Sequence, residues 1–153
     1  MVKILDTYQQ TFICSGAATS QKFNFTRVYK KDPSNKIKLS VNQISFFTSA
    51  NSSDLEPHAI FLSGIPELTG KCNVLDVSGN SIVRNNRCLL GVLGGDLTTA
   101  TNKGSSHITH QPQFIMNELP LSDFTIQLEH LVQETFTEAS LFLVSFQIDV
   151  CEY

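Results

Sequence analysis

Tryptophan is absent from this 153-residue chain, tyrosine occurs 3 times, and charged side chains make up only 16% of it. The first two scarcities count against a carbohydrate-binding module, which usually offers exposed aromatic platforms. The 11 phenylalanines suit a core better. Low charge beside a 41% hydrophobic share excludes a disordered chain, which needs low hydrophobicity and unbalanced charge. The net charge of -3 includes no basic stripe. Its nearest approach, Arg27, Lys30, Lys31, Lys36 and Lys38, straddles a turn and is diluted by Asp32. Nucleic-acid binding by counterion release needs a denser cluster, so these residues read as a solvated loop and no nucleic-acid partner is expected.

Long apolar runs are missing as well. The opening Met1-Val2-Lys3-Ile4-Leu5-Asp6 lacks the apolar stretch of a signal peptide. No later segment approaches the ~18 apolar residues of a membrane helix. The expected setting is aqueous and cytoplasmic, with no secretion and no membrane partner. On that expectation the glycosylation sequons at Asn24 and Asn51 carry no weight.

No CxxC pair occurs. Cys14, Cys72, Cys88 and Cys151 are widely spaced among apolar neighbours, which predicts reduced, buried thiols. Their even number leaves a disulfide framework arithmetically open.

Catalytic signatures are equally scarce. No GxSxG elbow surrounds any serine. The glycine-rich Gly91-Val92-Leu93-Gly94-Gly95-Asp96 lacks the Lys-Ser/Thr of a P-loop and a following helix, so turn and bulge duty explains its glycines. Glu118, Asp123, Glu129, Glu134 and Glu138 lie in and around loops at spacings that select no acid-base pair. The nearest thing to a metal set is His107-Ile108-Thr109-His110, with His58 and Asp96 as further candidates. In an extended segment that spacing sends the two rings to opposite faces, so surface or interface histidines are the expectation. Neither an enzyme nor a cofactor is predicted.

What the chain does contain is period-two alternation, which turns one face of an extended segment inward. Phe23 and Phe25 lead into Val28 and Tyr29. Ile37, Leu39 and Val41 alternate until the phase slips before Ile44 and Phe46, which predicts a bulge or a bend between sheets. The continuous Ala59-Ile60-Phe61-Leu62 suits a strand covered on both faces. Val74-Leu75-Asp76-Val77, ended by a turn at Gly79-Asn80, and Cys88-Leu89-Leu90-Gly91-Val92-Leu93 follow. A polar stretch from Gly94 to His110 is the longest candidate loop. Phe124, Ile126 and Leu128, then Phe142, Val144, Phe146, Ile148 and Val150, predict a long antiparallel pair. The stretch between them, Glu129 to Glu138, reads as a hairpin loop or a short helical turn.

Helical periodicity is nowhere sustained; only 118–121 and 128–134 have room for a brief coil. Roughly eight to ten strands separated by Gly, Pro, Asn and Ser turns describe an all-β protein. The predicted fold is a single antiparallel β-sandwich of jelly-roll type over residues 1–153. Residues 1–21 are open between an N-terminal arm ordered by a neighbour and the first strand.

Three segments carry a resemblance: Gln111-Pro112-Gln113-Phe114, then Leu121-Ser122-Asp123-Phe124-Thr125-Ile126-Gln127-Leu128-Glu129, then Ser140 to Asp149. Together they resemble the closing strands of jelly-roll capsid-associated proteins of double-stranded DNA viruses, where a D-F-x-I-x-L phrase precedes a loop and a final apolar strand. Major capsid proteins of that lineage carry two jelly rolls, and this chain has room for one. The resemblance therefore implies a virion protein of minor capsid, penton or cement type, made in the host cytoplasm. Its partners would be copies of itself and other capsid proteins, in a homo-oligomer or larger assembly. A shell subunit must present loops or strand edges for neighbours to cover. The alternative reading is a ligand- or receptor-binding sandwich that uses the 94–110 loop.

Overall fold

The computed structural model describes residues 1–15, 21–48, 58–68, 78, 87–93, 112–130 and 140–153. They form eight strands: β1 (Lys3–Ser15), β2 (Lys22–Phe23), β3 (Lys36–Thr48), β4 (His58–Ser63), β5 (Arg87–Leu93), β6 (Gln113–Met116), β7 (Phe124–His130) and β8 (Ser140–Glu152). A 3-10 turn, Pro66–Leu68, follows β4.

The pairing is nested. β1 pairs with β8, β2 with β7, β3 with β6 and β4 with β5, all antiparallel, so the chain is a doubled ladder closed at β4–β5. Two more antiparallel pairings, β3–β8 and β4–β7, roll that ladder into two four-stranded sheets. Sheet A runs β1-β8-β3-β6 and sheet B runs β2-β7-β4-β5. The molecule is an all-β sandwich with the strand order of a jelly roll.

Alternation decides which side chains enter the core. In β8, Phe142, Val144, Phe146, Ile148 and Val150 are buried against sheet B. In β3, Ile37, Leu39 and Val41 point the same way, and a register shift between Val41 and Gln43 restores the phase for Ile44. The slip in the sequence is thus a β-bulge. Each such side chain contributes about 1.5–3 kcal/mol on leaving water. β4 lies inside sheet B, and its Ala59, Ile60, Phe61 and Leu62 are all buried. Ile60 and Leu62 join the core, while the Arg87 guanidinium covers the Phe61 ring at 4.1 Å.

One end of the core is aromatic. The Phe12 ring lies 5.3–5.9 Å from those of Phe23, Phe25, Phe124 and Phe146, tilted against the first and edge-on to the other three. The Phe25 and Phe124 rings are closest, at 4.7 Å between centroids. Edge and tilted contacts of this kind add about 0.5–1.5 kcal/mol per pair beyond area.

The structure corrects three expectations. β7 and β8 do not pair with each other: β7 joins β2 and β4, and β8 joins β1 and β3. Alternation reports the inward face of a strand and not its neighbour, so two successive amphipathic runs mimic a hairpin. Residues 118–121 form no helix. The Phe23–Tyr29 run is strand only over Lys22–Phe23, and beyond it Phe25 alone stays fully committed to the core. Of the two readings of the N-terminal segment, β1 takes the strand: its register with β8 runs from Lys3↔Glu152 to Ser15↔Leu141. The 74–77 run and the 79–80 turn lie outside the described residues.

Candidate functional site

Because side chains from both sheets fill the space between them, the chemistry on offer lies on the outer faces and edges. The outer face of sheet A follows from the polar half of the same alternation. Thr7, Asp149 and Lys38 stand side by side across β1, β8 and β3. Asp149 is fully buried although it faces outward. Its Oδ1 accepts from the Thr7 hydroxyl at 2.9 Å, Gln147 Nε2 donates to both oxygens at 3.0 and 3.2 Å, and Lys38 Nζ lies 3.5 Å from Oδ2. Two rows on, the hydroxyls of Thr11 and Ser145 share a hydrogen bond of 2.6 Å, and Gln43 Nε2 donates to Ser45 Oγ at 2.7 Å. This face is a mat of small hydroxyls and amides that bond one another. A buried carboxylate held by two donors and a cation is spent on structure.

Side-chain amides finish what the strands leave open. Gln10 binds Thr26 at two points: its Nε2 donates to the carbonyl at 2.7 Å and its Oε1 accepts from the N–H at 2.8 Å. Gln21 does the same for Ser15 and donates a third bond to the Ile126 carbonyl at 3.3 Å. The irregular stretch before β3 is closed by Lys30, whose side chain is only 7% exposed. Its ammonium donates to the carbonyls of Pro33, Asn35 and Asn117 at 3.2, 3.2 and 2.8 Å and meets Glu118 at 2.6 Å. Asp32 shapes the same turn by accepting from the Ser34 N–H at 2.8 Å, which holds its carboxyl below the usual range. Lys36 donates to the Asn117 side chain. The basic group read as a solvated loop therefore contains a buried latch at Lys30 and a paired cation at Lys38.

Described residues line two surface clefts of similar size. One, of about 490 Å³, is lined by Arg27, Tyr29, Lys30 and Glu118 among others, and the last two are already paired. The other, of about 470 Å³, lies between the 3-10 turn at Glu67 and Leu68 and the strand β6.

Neither described thiol on sheet A is activated. Cys14 is fully buried, and burial pushes its thiol up to about 12. Cys151 is raised by burial and then by the charge of Asp149. Both are thiols, not thiolates, at neutral pH. Cys14, Cys88 and Cys151 are all buried, and Cys72 lies outside the described residues. So do His107, His110, Asp96 and the whole 94–110 stretch, together with Glu134 and Glu138. His58 begins β4, where the register sets it opposite His130. Among the described residues no three His, Cys, Asp or Glu side chains are grouped to hold a metal ion. Gly91 sits beside a bulge in the β4–β5 ladder, and a Cβ there would meet Ile44 Cδ1 at 2.8 Å. Sequence reading missed the roles of Gln10, Gln21 and Lys30, because nothing in the sequence marks a glutamine or lysine whose side chain will bond backbone rather than water. No protein family and no curated protein sequence matches this chain.

Proposed function

We propose that the chain is a structural subunit of a virus shell, of minor capsid, penton or cement type, which acts through contacts with copies of itself and with other shell proteins. The observation that carries this reading is the strand order β1-β8-β3-β6 over β2-β7-β4-β5, an architecture shared by viral capsid domains. The segments that resemble capsid-associated proteins fall on β6, β7 and β8. A packed interior favours work done with surfaces over work done with an internal ligand cavity, which other jelly rolls use. The polar mat on sheet A keeps such a surface soluble before assembly.

The test is particle composition. Mass spectrometry of particles purified from the protein's source should find the chain in a fixed ratio to the main shell protein, and imaging should place it at repeated symmetry positions. A chain absent from purified particles sinks the reading.

A further inference from the structure

We infer that β1 is a dimerisation edge, along which two copies of this chain pair β1 to β1, antiparallel, across a two-fold axis at Thr11. The inference stands on edge geometry and goes beyond the shell reading without depending on it.

Among the described residues β1 borders sheet A and pairs on one side only, with β8. In an antiparallel pair, successive residues alternately turn their N–H and C=O toward the partner and away from it. Ser15 turns both away from β8, because its N–H donates to Gln21 Oε1 and its C=O accepts from Gln21 Nε2, each at 3.0 Å. The register runs without a shift from Asp6↔Val150 to Ser15↔Leu141. The same parity therefore turns the backbone groups of Ile13, Thr11, Gln9 and Thr7 outward. At Thr7 the N–H is taken by Asp6 Oδ1 at 2.9 Å. Between these two caps, the outward N–H and C=O groups of Gln9, Thr11 and Ile13 have no protein partner among the described residues.

Only an extended strand satisfies a row of alternating donors and acceptors, so the partner is a strand. The row is symmetric about Thr11, and that symmetry selects a second copy. With the axis at Thr11, Thr11 faces Thr11 of the other copy and Gln9 faces its Ile13, each pair exchanging two N–H···O=C bonds. The next pair outward sets Ser15 against Thr7 of the other copy. Those are the capped residues, so the ladder ends on both strands at the same place.

Side chains agree with the backbone. No charged residue occurs from Thr7 to Ser15. The usual guards of an edge, a lysine and a bulge, lie outside the row at Lys3 and between Ile4 and Asp6. Ile13 is 67% exposed in the monomer and would lie along the methylenes of Gln9 from the second copy. The product is one continuous eight-stranded sheet, with the polar mats of both copies on the same side.

Sedimentation equilibrium of the full chain tests this, with Thr11→Lys as the decisive variant and circular dichroism as the check on folding. Wild type should be a dimer, and T11K, which sets two ammonium groups opposite each other, should raise the dissociation constant about tenfold or more with an unchanged β spectrum. In a second measurement, Thr11→Cys should form a disulfide-linked dimer under mild oxidation, while Gln43→Cys, on the exposed part of β3, should not. A wild-type monomer at the highest soluble concentration overturns the inference, as does a dimer that T11K leaves intact. Particles that contain the chain while β1 stays monomeric would remove this inference and leave the shell reading in place. A T11K-sensitive dimer absent from particles would do the reverse.

Discussion

Gln21 lays its side-chain amide along the backbone of Ser15 as a neighbouring strand would, accepting from the N–H and donating to the C=O, both at 3.0 Å. A third bond to the Ile126 carbonyl ties that corner of sheet A to β7 in sheet B. Replacing the amide by alanine should cost about 1–2 kcal/mol in urea unfolding. Gln21→Glu should cost more than Gln21→Ala, because a carboxylate has no N–H for the two carbonyls and repels both. A Gln21→Glu cost no larger than that of Gln21→Ala would mean that repulsion of the two carbonyls does not outweigh the one bond a carboxylate can still accept.

Lys30 and Glu118 separate a latch from an ornament. Lys30→Ala leaves three carbonyls without their donor and should destabilise by roughly 2–4 kcal/mol. Glu118, whose side chain is 71% exposed, contributes as a surface partner, and Glu118→Gln should cost less than about 1 kcal/mol. Denaturant midpoints of the two variants check the ranking.

Gly64 has a φ of +99°, and a Cβ on it would lie 2.9 Å from the Asp123 carbonyl oxygen. Backbone strain and a backbone clash coincide there, so Gly64→Ala should cost about 2–4 kcal/mol. At Gly91 the obstacle is only the terminal carbon of Ile44, which can turn aside. Gly91→Ala should cost about 1–2 kcal/mol, and adding Ile44→Val should recover part of it. Melting temperatures of the three variants settle the order.

The Cys14 thiol titrates at about 12 in the fold against an ordinary 9.0, because burial disfavours the thiolate. A raised value means the folded state holds the proton more tightly. The stability this contributes is complete below pH 9.0 and is lost as pH rises toward about 12. Unfolding free energy should thus fall more steeply above pH 9.0 in wild type than in Cys14→Ala. Folded protein at neutral pH should leave Cys14 unmodified by iodoacetamide.

Much of the architecture is legible from one-dimensional pattern, since burial on one face of a strand is a local, period-two property. The bulge after Val41 and the inward row of β8 follow from that property, and the doubly covered Ala59–Leu62 from an unbroken apolar run. Strand partners do not: β7 and β8 are successive amphipathic runs, and only the closing of the sandwich assigns them to different sheets. The polar surface is harder still. Asp149 reads as an ordinary outward carboxylate between Ile148 and Val150, and its burial depends on Thr7, Lys38 and Gln147 converging from three strands. Gln10 reaches backbone 16 residues on, and Gln21 and Lys30 add to their local bonds one carbonyl each at Ile126 and Asn117, pairings that no spacing rule encodes.

The nested ladder has a temporal side. Thr7 waits for Asp149, 142 positions later, and β3 likewise lacks its central neighbour until residues 140–152 leave the ribosome. During synthesis the innermost pair, β4–β5, is the first whose strands are both available, and β1–β8 is the last. Long-range closure of this kind is slow, of order milliseconds to seconds, and keeps β1 bare throughout synthesis. In a crowded polysome, β1 therefore stays unsheltered until β8, its partner, has emerged.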